Sequence, residues 1–363
     1  MSGIKNILLF VAIFSGFETF SQSNLITIAG KIDNLEGRHP VTISKPVARF
    51  FCNDNIDIKD SAFLENERFR LLLDIPANSF IRLDIHQFGS FICYVDSASG
   101  ISFDIMTNSA SEPEHVFFFG ANAPANELMV NGQLLTPYGK QKDLIIGIIK
   151  RAANASAALD SLHIVLLRHT EKLTELYNNH KISLGCYNAF IAETEQRLLL
   201  CCKDLLIQGN SKQSLFKMKK KELLSFINIL FSEFDPFDKK YFSTTIISDN
   251  IVEKCILIND GIIPAVISTP RDTWQSNAGY FTFNVMYFGV YDFAPNALQQ
   301  YLVGNALLAT LSHSPLTKEE FMDVYTTYRK WFPGSPYNLI INEWLSVKTF
   351  PAQNNTRVKL NYH

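Results

Sequence analysis

Phe117-Phe118-Phe119-Gly120-Ala121-Asn122-Ala123-Pro124-Ala125-Asn126 is the stretch where the character of the chain changes. Upstream of it, apolar residues recur at every second position. Downstream, they recur at steps of three, four and seven. Those two periods belong to strands and helices respectively. The stretch therefore predicts a boundary between a sheet domain and a helical one.

The upstream pattern is regular. Phe69, Leu71, Leu73 and Ile75 alternate with Arg68, Arg70 and Asp74. Ile81, Leu83 and Ile85 alternate with Arg82, Asp84 and His86, and Ile101, Phe103 and Ile105 with Ser102 and Asp104. Turn-forming runs punctuate these segments, such as Asn34-Leu35-Glu36-Gly37, Asn53-Asp54-Asn55 and Ser97-Ala98-Ser99-Gly100. Nothing between them is long enough for a crossover helix, which argues against a parallel sheet. The expectation is an antiparallel β-sandwich or an open barrel over 24–120.

The downstream pattern predicts an all-helical domain over 125–346, so the fold class is α+β. Leu159, Leu162, Leu166, Leu173 and Leu176 form one apolar stripe. A second helix starts at Ser183 as N-cap and stops at Gly209-Asn210, with Tyr187, Ile191, Leu198, Cys201 and Leu205 inward. A third runs from Ser214 to Phe231, with Phe216, Leu223, Ile227 and Leu230 inward, and Asp235-Pro236 ends it. Further helices are expected over 239–258, 296–311, 317–331 and 336–346. Residues 347–363 form a tail. The region 269–295 reads as a strand pair or as an aromatic helix, and the pattern does not choose between them.

The N-terminus reads as an export signal over 1–21. Lys5 supplies the positive charge, Ile7 to Phe17 the apolar run, and Thr19 and Ser21 the small residues before a cut that leaves Gln22 first. The run falls short of the roughly 20 residues that span a bilayer. An uncleaved anchor is the alternative. No cysteine lies near the cut, which argues against a lipoprotein, and no later segment is apolar enough for a second span. The chain is 47% hydrophobic and 19% charged, with a net charge of −2. It can bury a sizeable core, and no overall field favours nucleic acid. The roughly 340 residues after the signal suggest two domains.

The chemistry-bearing residues lack the spacings that reactions need. His163 and His169 are six apart, whereas two ligands on one helix face need four. His180 stands at a helix end, where a cation suits the dipole. Asp54, Asp57 and Asp60 lack the alternation, glycine and distal glutamate of a calcium loop. Neither a G-x-S-x-G elbow nor a glycine-rich phosphate loop occurs. Lys217, Lys219, Lys220 and Lys221 read as a solvated helix face. No cofactor or metal is implied. Of the six cysteines (Cys52, Cys93, Cys186, Cys201, Cys202 and Cys255), an even count permits up to three disulfides in an exported chain. No C-x-x-C occurs, and the vicinal Cys201-Cys202 has no flanking His or basic cluster to lower a thiol pKa. The aromatic stretch from Trp274 to Phe293 is the candidate binding surface, with Trp274, Tyr280, Tyr287 and Tyr291 as its residues. Core packing is the competing reading.

Several of these segments resemble one family, in matching order. Glu67-Arg68-Phe69-Arg70-Leu71 resembles the Gly-x-Phe strand entry of the N-terminal domain of unknown function in bacterial TlpA/ResA-like thiol-disulfide interchange proteins. Tyr94 to Phe103 is similar to that family's turn between two apolar strands, with Ala98-Ser99-Gly100 in place of Pro-Gly-Asp. Phe119 to Glu127 is similar to its closing signature, and Phe332-Pro333-Gly334-Ser335-Pro336-Tyr337 to a step in its helical linker. The thioredoxin module that follows in the family has no counterpart up to His363. The resemblance thus implies an architecture and the periplasm or cell envelope as compartment, without the family's catalytic pair. Two functions are expected: a non-enzymatic binding or scaffold module with an envelope protein as partner, including a separate thioredoxin-like protein, or an accessory or truncated member of a thiol-disulfide pathway. An enzyme with an unseen site is a third.

Overall fold

The computed structural model describes residues 23–33, 38–47, 58–76, 78–85, 89–96, 100–107, 113–136, 138–211, 217–259, 262–263, 294–313 and 317–347. Alternation of apolar and polar residues builds eight strands. They are β1 (Ser23–Ile32), β2 (His39–Lys45), β3 (Ile58–Leu64), β4 (Arg68–Pro76), β5 (Ser79–Ile85), β6 (Gly89–Val95), β7 (Ile101–Thr107) and β8 (Pro113–Phe119). They form two four-stranded sheets, ordered β4-β1-β7-β8 and β3-β2-β5-β6. Ile26, Ile28, Phe69, Leu73, Phe103 and Phe118 of the first sheet meet Val41, Ile43, Ile81, Leu83 and Cys93 of the second in one buried core. The result is a sandwich rather than an open barrel. At about 25 cal/mol per Å² of apolar surface, this interior is the main stabilising term.

One pairing departs from the antiparallel expectation. β1 and β7 run parallel, with Ile28 opposite Ile101 and Ile32 opposite Ile105. Parallel neighbours need a long crossover. Here the intervening strands provide it, because the chain passes through both sheets before β7. Along one side the sheets are linked by the β3–β4 hairpin. Its central residues Asn66 and Glu67 have φ of 51° and 65°, the pattern of a type I′ turn.

After the sandwich come nine helices among the described residues: α1 (Ala123–Val130), α2 (Gly139–Arg151), α3 (Ala155–Asn178), α4 (Leu184–Ser211), α5 (Lys220–Glu233), α6 (Ile247–Asn259), α7 (Asn296–His313), α8 (Lys318–Trp331) and α9 (Tyr337–Val347). The leucine stripe of α3 is inward: Leu162 and Leu173 are buried, and Leu159, Leu166 and Leu176 pack against the same cores. Ser183 caps α4 by accepting from the Cys186 N–H at 3.1 Å. The C-terminal helices agree with the pattern to within two residues. Their core includes Tyr325, Tyr328 and Tyr337, with the Tyr328 hydroxyl donating to the Gln300 carbonyl at 2.7 Å.

Three boundaries differ from expectation. α4 continues through Gly209-Asn210 to Ser211. α5 begins at Lys220 and not near Ser214: the Lys217 N–H donates to the carbonyl of Lys150 at 3.1 Å, and Lys219 is extended. The helix expected over 239–258 is broken. A 3-10 turn at Lys239–Tyr241 precedes α6, because Thr244 and Thr245 use their hydroxyls on Tyr241 and Glu193.

The outer face of the second sheet docks on the helices. Phe80 of β5 and Tyr94 of β6 are buried against Phe190 of α4, with ring centroids 5.3 and 6.0 Å away. The outer face of the first sheet carries no described element.

Candidate functional site

Two places concentrate buried polar groups. The first is the sheet-to-helix junction. Gly120 has φ of +124°, a conformation that suits glycine, and it turns the chain from β8 into α1. α1 then lies against the edges of both sheets. On β6, the Asn126 side chain accepts from the Tyr94 N–H at 2.7 Å and donates to the Tyr94 carbonyl at 3.0 Å. On β8, Glu127 accepts from the Phe118 N–H at 3.1 Å, and Asn131 donates to the Val116 carbonyl at 3.4 Å. Asn122 donates to Asp96 and accepts from the Ser183 N–H, joining β6 to the start of α4. A cleft of about 10 Å³ remains beside Asp96, Gly120, Asn122 and Asn126, room for about one water molecule. The arrangement seals two sheet edges with side-chain amides and a carboxylate.

The second place lies between α4 and the segment leading into α6. Glu193 is buried and accepts from Arg197 Nε at 2.8 Å, from the Thr245 N–H at 2.8 Å and from the Thr245 hydroxyl. Arg197 also donates to the Leu135 carbonyl at 3.1 Å. Asn250 donates to the Gln196 side chain at 2.8 Å, and Gln196 donates to the Phe234 carbonyl at 3.1 Å. Lys254 meets Asp235 at 2.6 Å, and the Tyr241 hydroxyl donates to Glu195 at 2.7 Å. Burial, followed by Glu195, pushes the Tyr241 phenol well above its ordinary range. Such residue types can serve acid–base chemistry. Here each acceptor and donor named is engaged by a protein partner, and the network clamps α4 to α6.

The thiols of the described residues, Cys93, Cys186, Cys201, Cys202 and Cys255, are buried, and none of them is in a disulfide. Burial raises the pKa of Cys93, Cys186 and Cys202, and pushes Cys255 up to about 12. A thiolate is the reactive form. The vicinal Cys201-Cys202 pair sits in the helical core, and the pairing that an even count permits is not made among the described residues. Cys52 lies outside them.

The remaining candidates disperse. His163 pairs with Glu233 at 2.6 Å, and burial lowers the pKa of His169. His180 occupies the left-handed position after α3, φ 54°. No group of three His, Cys, Asp or Glu residues suited to a metal occurs among the described residues. Asp60 pairs with Lys45 at 2.8 Å, whereas Asp54 and Asp57 lie outside the described residues. Lys217, Lys219, Lys220 and Lys221 are exposed, at and before the start of α5. Trp274, Tyr280, Tyr287 and Tyr291 all lie outside the described residues. A surface cleft of about 260 Å³ has Thr326, Arg329, Lys330 and Pro333 among its walls.

One surface went unread in the sequence. The outer face of the first sheet exposes Leu25 (69%), Leu72 (60%), Phe119 (50%), Met106 (46%) and Phe117 (38%). The signal was present in the triple phenylalanine. Alternation buries Phe118 and must turn Phe117 and Phe119 outward. No described helix is long and apolar enough to cross a membrane. No protein-family model, curated protein or solved structure matches this chain.

Proposed function

We propose that this chain is an exported protein of the bacterial periplasm or cell envelope that acts as a binding or scaffold module rather than as an enzyme. The observation that carries the reading is the asymmetry of the sandwich. One outer face is covered by helices, while the other presents Met106, Phe117 and Phe119 beside His115, whose ring lies 4.5 Å from that of Phe117. Contiguous exposed apolar surface on a sheet marks a place for a protein partner. The export-signal pattern of the sequence supports the compartment. A thioredoxin-like envelope protein is the partner class implied by the family resemblance.

The test is capture from an envelope extract on immobilised mature protein, in parallel with a Phe117→Ser/Phe119→Ser variant of unchanged circular dichroism. Partners held by the wild type and lost by the variant support the proposal. An identical set of captured proteins removes this face as the binding surface. A thiol-pathway role for the chain's own cysteines requires a reactive native thiol, and the burial of the described ones counts against it.

A further inference from the structure

The edge of β4 has a property that the other face-lining strands lack. The Ile32 N–H donates to the Glu67 carbonyl at 2.9 Å, which makes these two a hydrogen-bonded pair of the β1–β4 ladder. In an antiparallel ladder both main-chain groups of a residue point the same way, and successive residues alternate. Phe69, Leu71, Leu73 and Ile75 therefore bond to β1. Arg68, Arg70, Leu72 and Asp74 turn their main-chain groups away from it. Arg68 spends its pair on Glu65, at 3.1 and 2.8 Å. Arg70, Leu72 and Asp74 then form a row of edge groups that no described strand pairs. By contrast, β6 and β8 are sealed by Asn126, Glu127 and Asn131.

The side chains of the same three residues are exposed on the outer face. They read as a cation, an apolar centre and an anion, evenly spaced. An antiparallel copy centred on Leu72 sets Arg70 against the partner's Asp74, and Leu72 against the partner's Leu72. No ion pair among the described residues engages Arg70 or Asp74. Pro76, which has no N–H, ends the strand where a longer register would have to continue.

We propose that two copies of this chain join edge to edge through β4, about a two-fold axis at Leu72. The contact is isologous, because each copy offers the same strand and the same complementary charges. The two first sheets become one eight-stranded sheet, and the exposed faces carrying Met106, Phe117 and Phe119 lie on one continuous surface. Main-chain bonds supply the adhesion, as in other strand additions, and the charge order fixes the register.

Sedimentation velocity over a concentration series of the mature protein tests this. The wild type is expected to show a monomer–dimer equilibrium. Arg70→Asp and Asp74→Arg each replace two attractive pairs by repulsive ones, and should weaken the dimer about tenfold or more. The double variant restores opposite charges and should return most of the affinity. Leu72→Pro removes one edge N–H that β1 does not use and should also weaken the dimer. Unchanged circular dichroism of each variant guards against misfolding, and Leu72→Lys serves if Leu72→Pro unfolds. A monomeric wild type overturns the proposal. So does a dimer indifferent to these changes, or a double variant as weak as the single ones.

Discussion

The side-chain amide of Asn126 stands in for a β-strand. It accepts from the N–H of Tyr94 and donates to the carbonyl of the same residue, at 2.7 and 3.0 Å, both buried. Asn126→Ala leaves that N–H and that carbonyl without partners inside the protein, at about 1–3 kcal/mol each. The expected loss is about 2–6 kcal/mol in urea unfolding, with β6 amide exchange accelerated before that of β5. A loss below about 0.5 kcal/mol would show that water replaces the amide, and the sealing role would fall.

The buried thiols give the protein an alkaline weakness. Cys93, Cys186, Cys202 and Cys255 have their pKa values raised from the ordinary 9.0, Cys255 to about 12. An acid whose folded pKa is raised contributes stability that is fully present below its unfolded pKa and is lost as pH rises above it. Above pH 9, and for Cys255 up to about 12, such a thiol lowers stability by up to about 1.4 kcal/mol per pH unit. Urea midpoints measured between pH 8 and 10.5 should fall steeply, and Cys255→Ala should flatten the slope. In the native state at pH 8, none of the five described cysteines should react with a thiol reagent, and all should react in denaturant. Rapid native labelling of Cys93 or Cys255 would sink this account.

What the sequence showed depended on whether the controlling contact was local. The stripe of Leu159, Leu162, Leu166 and Leu173 predicts its helix, because one buried face imposes the period on its own residues. The break before α6 was invisible: it depends on Thr245 bonding Glu193, far away in the chain. Asn126 was legible as part of a signature. Its task was not, because its partner is the main chain of a strand 32 positions earlier. The exposed face of the first sheet could have been read. Leu72 breaks the parity of Phe69, Leu71, Leu73 and Ile75, and an apolar residue on the wrong parity of an otherwise alternating strand must face outward.

Glu67 and His180 are among the residues that hold left-handed backbone without being glycine. Glu67 has φ of 65° in the β3–β4 turn. His180 has φ of 54° at the end of α3, with His180 N–H to Tyr177 and Lys181 N–H to Leu176, both at 2.9 Å. These bonds form a Schellman motif, whose left-handed position favours glycine. The left-handed region costs an L-residue about 1–2 kcal/mol. Glu67→Gly should be more stable than Glu67→Ala by about 1 kcal/mol, although glycine ordinarily weakens strands. Both variants lose the Glu67 side chain, so the difference isolates the backbone. The same order is expected for His180→Gly over His180→Ala. Thermal midpoints of the four proteins decide it, and an alanine variant equal to its glycine counterpart would show that the turn relaxes.

The Glu193–Arg197 pair separates a clamp from a catalytic group. Glu193 is 1% exposed and Arg197 lies one helical turn away. Arg197→Met leaves a buried carboxylate with the Thr245 donors but without its cation. Breaking one side of such a pair costs about 3–5 kcal/mol. Glu193→Gln combined with Arg197→Met removes both charges and keeps a hydrogen-bonding group for Thr245. It should recover much of the loss, because a buried ion pair contributes little net stability beyond a neutral packing of similar volume. Thr245→Val removes the hydroxyl alone and should cost about 1–2 kcal/mol. A double variant no more stable than Arg197→Met would mean that Arg197 acts mainly through the Leu135 carbonyl, which it meets at 3.1 Å. The clamp would then run from α4 to the segment after α1 instead of to α6.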